Sequence, residues 1–175
     1  MRQRDPLANP APLIRRVYSY VAYRIGEGAE AEDVVSDVFE RALRYRESYD
    51  PARGEPLAWL LGIARRSIED ARLRGAEPTV SEAIEQASPH NVEDTAVQRL
   101  SLAASINQLD ERDRDLLALR YGADLSARQI GGIVGLRTNA VEVALHRALA
   151  RLRALLLDDE QAQPAPPSAR LEPRR

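Results

Sequence analysis

Ser126-Ala127-Arg128-Gln129-Ile130-Gly131-Gly132-Ile133-Val134-Gly135-Leu136, then Arg137-Thr138-Asn139-Ala140-Val141 and Leu145, is the stretch that decides the fold. Ser126 and Gln129 have capping-box spacing, in which each side chain satisfies a free backbone amide beside the other, so a short helix begins there. Gly135 stops it, because glycine takes the left-handed conformation a sharp turn requires. A second helix, opened by Thr138 or Asn139, carries Val141, Leu145, Ala148, Leu149, Leu152 and Leu156 on one stripe until Asp158. A small residue at the crossing, Gly131, and apolar seats at Leu136, Val141 and Leu145 make this a helix-turn-helix, with a plain helical hairpin as the alternative. If the second helix enters a major groove, Arg137, Thr138, Asn139, Val143, His146 and Arg147 face DNA. Asn139 would read adenine and Arg147 guanine or phosphate, whereas Glu142 and Val143 dilute the charge and His146 also fits an ordinary surface role.

Working outward, the same module takes in Leu100, Leu102, Ile106 and Leu109, then Asp110 as N-cap of a helix through Leu116, Leu117, Leu119 and Tyr121 that Gly122 ends. It spans 95–157. Before it, 76–94 is polar and acidic, with Pro78, Glu82, Glu85, Pro89 and Glu93, and reads as a flexible linker. A first module spans 13–75. Its first helix repeats Leu13, Ile14, Val17, Tyr18, Val21, Ala22 and Ile25 at helical spacing, and its second repeats Val34, Val35, Val38, Phe39, Ala42 and Leu43. A turn-rich loop, Tyr49 to Pro56, leads to a third helix running to about Arg74. Residues 1–12 read as a flexible N-terminus, and 158–175, with Pro164, Pro166, Pro167 and Pro173, as a disordered tail.

In 175 residues, 44% apolar and 30% charged with only 5% aromatic, the expectation is an all-α protein of two small helical domains joined by a flexible linker. Every one of the 25 basic residues is Arg, whose planar fork grips phosphate and carboxylate bidentately. A net charge of -2 excludes a protein that coats DNA by charge alone, so DNA contact falls to local patches or to a partner. With no Cys and only His90 and His146, disulfides and zinc-finger ligand sets are ruled out, and no metal or cofactor is expected. No basic segment with an apolar signal core and no run near the ~20 residues of a membrane span is present, so a cytoplasmic chain with no membrane association is expected. An enzyme is not expected, since no Gly-rich phosphate loop and no His, Ser and carboxylate constellation stands out.

Taken together, the two halves resemble the extracytoplasmic-function group of sigma factors in the sigma-70 family, over about residues 13 to 157. The string Ala31-Glu32-Asp33-Val34-Val35-Ser36-Asp37-Val38-Phe39-Glu40-Arg41-Ala42 resembles the segment of the sigma-two domain that docks on the β′ clamp helices of core RNA polymerase. That resemblance implies docking by Asp33, Ser36, Asp37, Glu40 and Arg41, with Ser36 standing where Gln is usual. Trp59-Leu60-Leu61-Gly62-Ile63-Ala64-Arg65, then Asp70, is similar to the promoter-melting helix that recognises the minus-ten element. Melting requires holding unstacked bases, for which aromatic platforms and Arg planes are suited. Tyr49, Arg53, Gly54, Glu55, Trp59, Arg65 and Arg66 are the candidates; the other readings are Trp59 as a core residue and the Arg pair as a solvated face. Leu109 to Tyr121 and Leu145-His146-Arg147-Ala148-Leu149-Ala150-Arg151-Leu152 resemble the sigma-four domain, which reads the minus-thirty-five element and grips the β flap. Glu142, Val143 and Ala144 stand where Lys, Ser and Arg are usual.

The resemblance thus implies an initiation factor whose partners are core RNA polymerase, promoter DNA and an anti-sigma protein. Two rivals are a self-sufficient helix-turn-helix regulator, which the net negative charge disfavours, and a polymerase-binding protein with weakened promoter recognition.

Overall fold

The structure, a computed structural model, describes residues 5–74 and 101–162. The linker assigned to 76–94 lies outside the described residues, as do most of the tail and the first four residues. Every regular element among the described residues is helical.

Helix α1 runs Pro10–Ile25, α2 Ala29–Arg44 and α3 Pro56–Leu73. Pro10 and Pro56 open α1 and α3, where a missing amide costs nothing and a fixed φ helps. Helix α1 therefore starts three residues before its apolar stripe, inside the segment expected to be a flexible N-terminus. Helix α4 covers residues 101–108, and α5 spans Glu111–Leu117 and continues as a π-helical turn, Ala118–Gly122. Helix α6 spans Ala127–Val134 and α7 Thr138–Ala162, four residues past the expected end at Asp158.

The caps form as the residue types dictate. Asp110 accepts from the Asp113 amide at 2.8 Å. Ser126 and Gln129 form the reciprocal capping box. Gly135 closes α6 in the left-handed conformation, φ 73° and ψ 28°. At the helix crossing a Cβ on Gly131 would stand 2.5 Å from the Leu136 carbonyl oxygen, so this position has room for hydrogen only.

Helices α1, α2 and α3 pack together around Val17, Val21, Val38, Leu60, Leu61 and Ile68, while Leu116, Leu119, Ile130, Val141 and Ala148 fill the second half. Each fully buried Leu, Ile or Val contributes roughly 1.5–3 kcal/mol of transfer free energy. The two sets join into one continuous core, because α1 lies across the π-helical turn and α3 packs on α6. Some stripe residues stay outside it, with Ile14 44%, Leu43 60% and Tyr121 50% exposed.

Candidate functional site

Three surfaces carry the residues singled out by sequence. The first is the outer face of α2, where Asp33, Ser36 and Glu40 are exposed and Asp37 and Arg41 half-buried. Asp37 accepts from Arg41 Nε at 3.0 Å and Glu40 from Arg44 at 2.7 Å, one helical turn on in each case. Arg41 also donates to Asp70 at 2.7 Å, pinning α2 to α3, and that bond holds its guanidinium more firmly protonated than usual. Asp33 makes no ion pair among the described residues, so it offers a free carboxylate.

The second surface is a cavity of about 210 Å³ between the end of α2, the 3-10 turn Arg46–Ser48 and α3, lined by Arg41, Tyr45, Ser48, Trp59, Ile63 and Arg66. Trp59, Ile63 and Arg66 share one face of α3 because they are four and three residues apart. Trp59 is half-buried, a wall of this cavity as well as a core neighbour. Arg53, Gly54 and Glu55 are exposed on the loop beside it, and Gly54 takes a φ of +150° that an L side chain rarely adopts.

Two minus-ten candidates are placed otherwise than expected. Tyr49 is only 5% exposed; its hydroxyl donates to the Gly54 carbonyl at 3.0 Å and its ring centroid lies 5.6 Å from that of Trp59. It shapes the loop and props the Trp59 wall instead of presenting a ring to a ligand. Arg65 precedes Arg66 by one residue, hence by about 100° around the helix, and turns away from the cavity to meet Asp115 at 3.1 Å. Tyr45, Ser48 and Ile63 were not singled out in the sequence. Tyr45 and Ser48 reach the cavity only through the 3-10 turn, which no periodicity announces, although the Trp59, Ile63 and Arg66 spacing was available to be read.

The third surface is the start of α7, where Arg137, Thr138, Asn139, Val143, His146 and Arg147 are all exposed, with Glu142 among them. Val141, Leu145 and Ala148 on the opposite side are buried, so the helix presents the expected face.

The Sigma-70 region 2 family model matches residues 12–77 and the Sigma-70, region 4 model residues 99–152. The ECF RNA polymerase sigma factor SigL of Mycobacterium tuberculosis is 30% identical over 163 residues, covering 85% of this chain and 92% of SigL. The chain belongs to the ECF group of the sigma-70 family. Streptomyces coelicolor BldN, another ECF sigma factor, is 32% identical over 82% of the chain, which spans 57% of BldN's length. A solved structure of CnrH in complex with the cytosolic domain of CnrY superposes with a TM-score of 0.59 at 25% identity, covering 85% of this chain and 82% of CnrH. Bartonella quintana RpoE, solved with the anti-sigma factor NepR, shares the fold with a TM-score of 0.62 at 22% identity, over 84% of this chain and 93% of that one. This ECF factor is therefore an RNA polymerase sigma factor that directs transcription, in a family of non-catalytic regulators, and neither rival reading is favoured. No described helix is long and apolar enough to cross a membrane.

Proposed function

We propose that this sigma factor divides initiation among the three surfaces: α2 docks on the β′ clamp helices of core RNA polymerase, the α2–α3 cavity takes an unstacked base of the minus-ten element, and α7 approaches upstream duplex while its domain grips the β flap. The observation that carries the reading is the cavity. Its volume falls below the ~300–1,000 Å³ of drug-sized ligand pockets, which suits one heteroaromatic ring. An aromatic wall at Trp59 and Tyr45, guanidinium planes at Arg41 and Arg66, and a hydroxyl at Ser48 are the groups that hold a base outside its stack. Arg53 on the neighbouring loop is free to meet a phosphate. In this reading Tyr49 and Gly54 position the loop and leave the base alone.

The sequence modules 13–75 and 95–157 correspond to the docking-and-melting part and the upstream part, and 76–94 connects them. A chain with this work acts beside polymerase in the cytoplasm, catalyses no reaction of its own and needs no cofactor. The anti-sigma protein implied by the family resemblance completes the set of partners.

The test separates docking from melting. Asp33→Arg should weaken binding to core RNA polymerase by tenfold or more in a titration, because it reverses the one docking-candidate carboxylate of α2 that makes no ion pair among the described residues. Trp59→Ala should leave that titration unchanged and lower promoter opening by roughly fivefold or more, read as 2-aminopurine fluorescence in the minus-ten element, since stacking on one aromatic contributes ~1–3 kcal/mol per base. Opening at the parent's level in Trp59→Ala would remove the cavity from the mechanism.

A further inference from the structure

The polar groups around the α2–α3 cavity are not equivalent. Arg41 is committed: its Nε donates to Asp37 at 3.0 Å and its Nη1 to Asp70 at 2.7 Å, so its guanidinium plane is a fixed wall. Ser48 is committed as a donor, because its hydroxyl gives its proton to the Tyr45 carbonyl at 2.7 Å and keeps only lone pairs to offer. Arg66 makes no hydrogen bond and no ion pair among the described residues, yet it shares the cavity face of α3 with Trp59 and Ile63. Its fork of N–H donors is therefore free. Among the described residues no carboxylate lines the cavity. Trp59 and Ile63 are half-buried whereas Tyr45, Ser48 and Arg66 are exposed, so the apolar floor lies inside and the polar groups stand at the rim.

We propose that the cavity selects guanine as its unstacked base, and that Arg66 is the residue that reads it. The proposal rests on the proposed function, which places a base in the cavity without saying which. A planar guanidinium fork gives its full value only to two acceptors side by side. Adenine sets an amine donor beside N7, and thymine separates its two carbonyl oxygens by an N–H, so neither accepts both donors of the fork along one edge. Guanine offers O6 and N7 together, the commonest specific partner of an arginine. Beyond O6 its edge continues with the N1–H and the amine, donors that suit a lone-pair oxygen such as that of Ser48. Cytosine also has adjacent acceptors, O2 and N3, but the fused ring of guanine covers more of the Trp59 wall, and stacking carries much of the affinity for a single strand. Arg41, tied on both sides, backs the ring as a fixed charge and leaves the reading to Arg66.

Fluorescent single strands of thymidine, with one central base replaced in turn by guanine, adenine or cytosine, can be titrated by anisotropy against the full chain bound to core RNA polymerase, with core polymerase by itself as the blank. The guanine strand should bind about fivefold or more tighter than the others, the discrimination that one bidentate pair provides. A strand carrying 7-deazaguanine, which keeps the stacking face and loses the N7 acceptor, should lose that advantage. Arg66→Ala should bring all the strands to one affinity, and so should Arg66→Lys, which keeps the charge and removes the fork. Arg66 is exposed and without a partner among the described residues, so neither change takes a contact from the fold. Equal binding of the parent to every strand, tightest binding of another base, or a guanine preference that survives Arg66→Lys or 7-deazaguanine would overturn the proposal; where Trp59→Ala still weakens every strand, the cavity itself stands as a base site. Strands that bind alike with and without Trp59 would instead overturn the functional reading beneath it.

Discussion

Gly62 and Gly131 are both helical glycines, yet a methyl group added to each meets opposite surroundings. Nothing lies within 4 Å of a Cβ on Gly62, whereas a Cβ on Gly131 would collide with the Leu136 carbonyl, whose residue is itself bonded back to the Gly131 oxygen at 3.0 Å. Gly62→Ala should therefore gain about 0.5–1 kcal/mol from reduced backbone entropy in the unfolded chain. Gly131→Ala should lose about 1–3 kcal/mol, the usual cost of overpacking where the neighbour is backbone. Thermal unfolding resolves both, since 1 kcal/mol moves the midpoint by about 2–4 °C in a chain of this size. A Gly131→Ala midpoint at or above the parent's would mean the crossing is looser than drawn. Gly131 was legible in the sequence because the helix-turn-helix spacing demands a small residue there. The role of Gly122 as a seat for α1, where a Cβ would stand 2.8 Å from the Ser19 carbonyl oxygen, was not legible, because sequence offers the same glycine a sufficient reason as a helix stop.

Elements whose partners are close in the chain could be read; those defined by distant partners could not. The capping box at Ser126, the Asp110 cap and the exposed face of α7 follow from spacings of three and four residues. Tyr20 and Arg24 broke the apolar pattern of α1, and their burial makes sense only beside α5, about ninety residues on. Arg65 likewise looked like the twin of Arg66 until Asp115 claimed it. The cavity depends on a 3-10 turn with no periodic signature, so only its α3 wall was within reach. On α7, Glu142 sits among the exposed residues assigned to DNA and repels the phosphates they would approach. Glu142→Arg should raise affinity for upstream duplex and steepen the dependence of log affinity on log salt by about one, the value of one added phosphate contact. An unchanged slope in a fluorescence-anisotropy salt titration would show that α7 does not face the duplex.

At the scale of the whole molecule, the joining of the halves makes their association respond to pH in a calculable direction. Hydrogen bonding to Arg72 lowers the Glu111 pKa below the ordinary glutamate value, reinforced by the charges of Arg72 and Arg24 and by a bond from Arg24; desolvation opposes this only in part, and Arg114 also faces the pair. A carboxylate whose pKa is depressed in the joined form stabilises it fully above the ordinary value of about 4.3 and progressively less as pH falls through the lowered one. Tyr20 works with the opposite sign: burial, then the charge of Asp115, raises its pKa well above that of a free phenol, so its contribution holds below about 10 and is lost only in stronger alkali. Between those limits neither group titrates, and the joined fraction should be level across neutral pH. Glu111→Gln isolates the acid branch, because glutamine resembles the protonated acid. Energy transfer between fluorophores at Glu47→Cys and Ala154→Cys, exposed positions one in each half of this cysteine-free chain, should be lower in Glu111→Gln than in the parent at pH 7, and the two curves should converge only once pH has fallen through the lowered Glu111 pKa, where both carry a neutral side chain. Glu111 is half exposed, so solvent screening keeps the separation small, and low salt is the condition that makes it measurable. Curves that coincide at pH 7, or stay equally far apart through the whole acid limb, would show that the Glu111 pairs with Arg24 and Arg72 do not help hold the halves together.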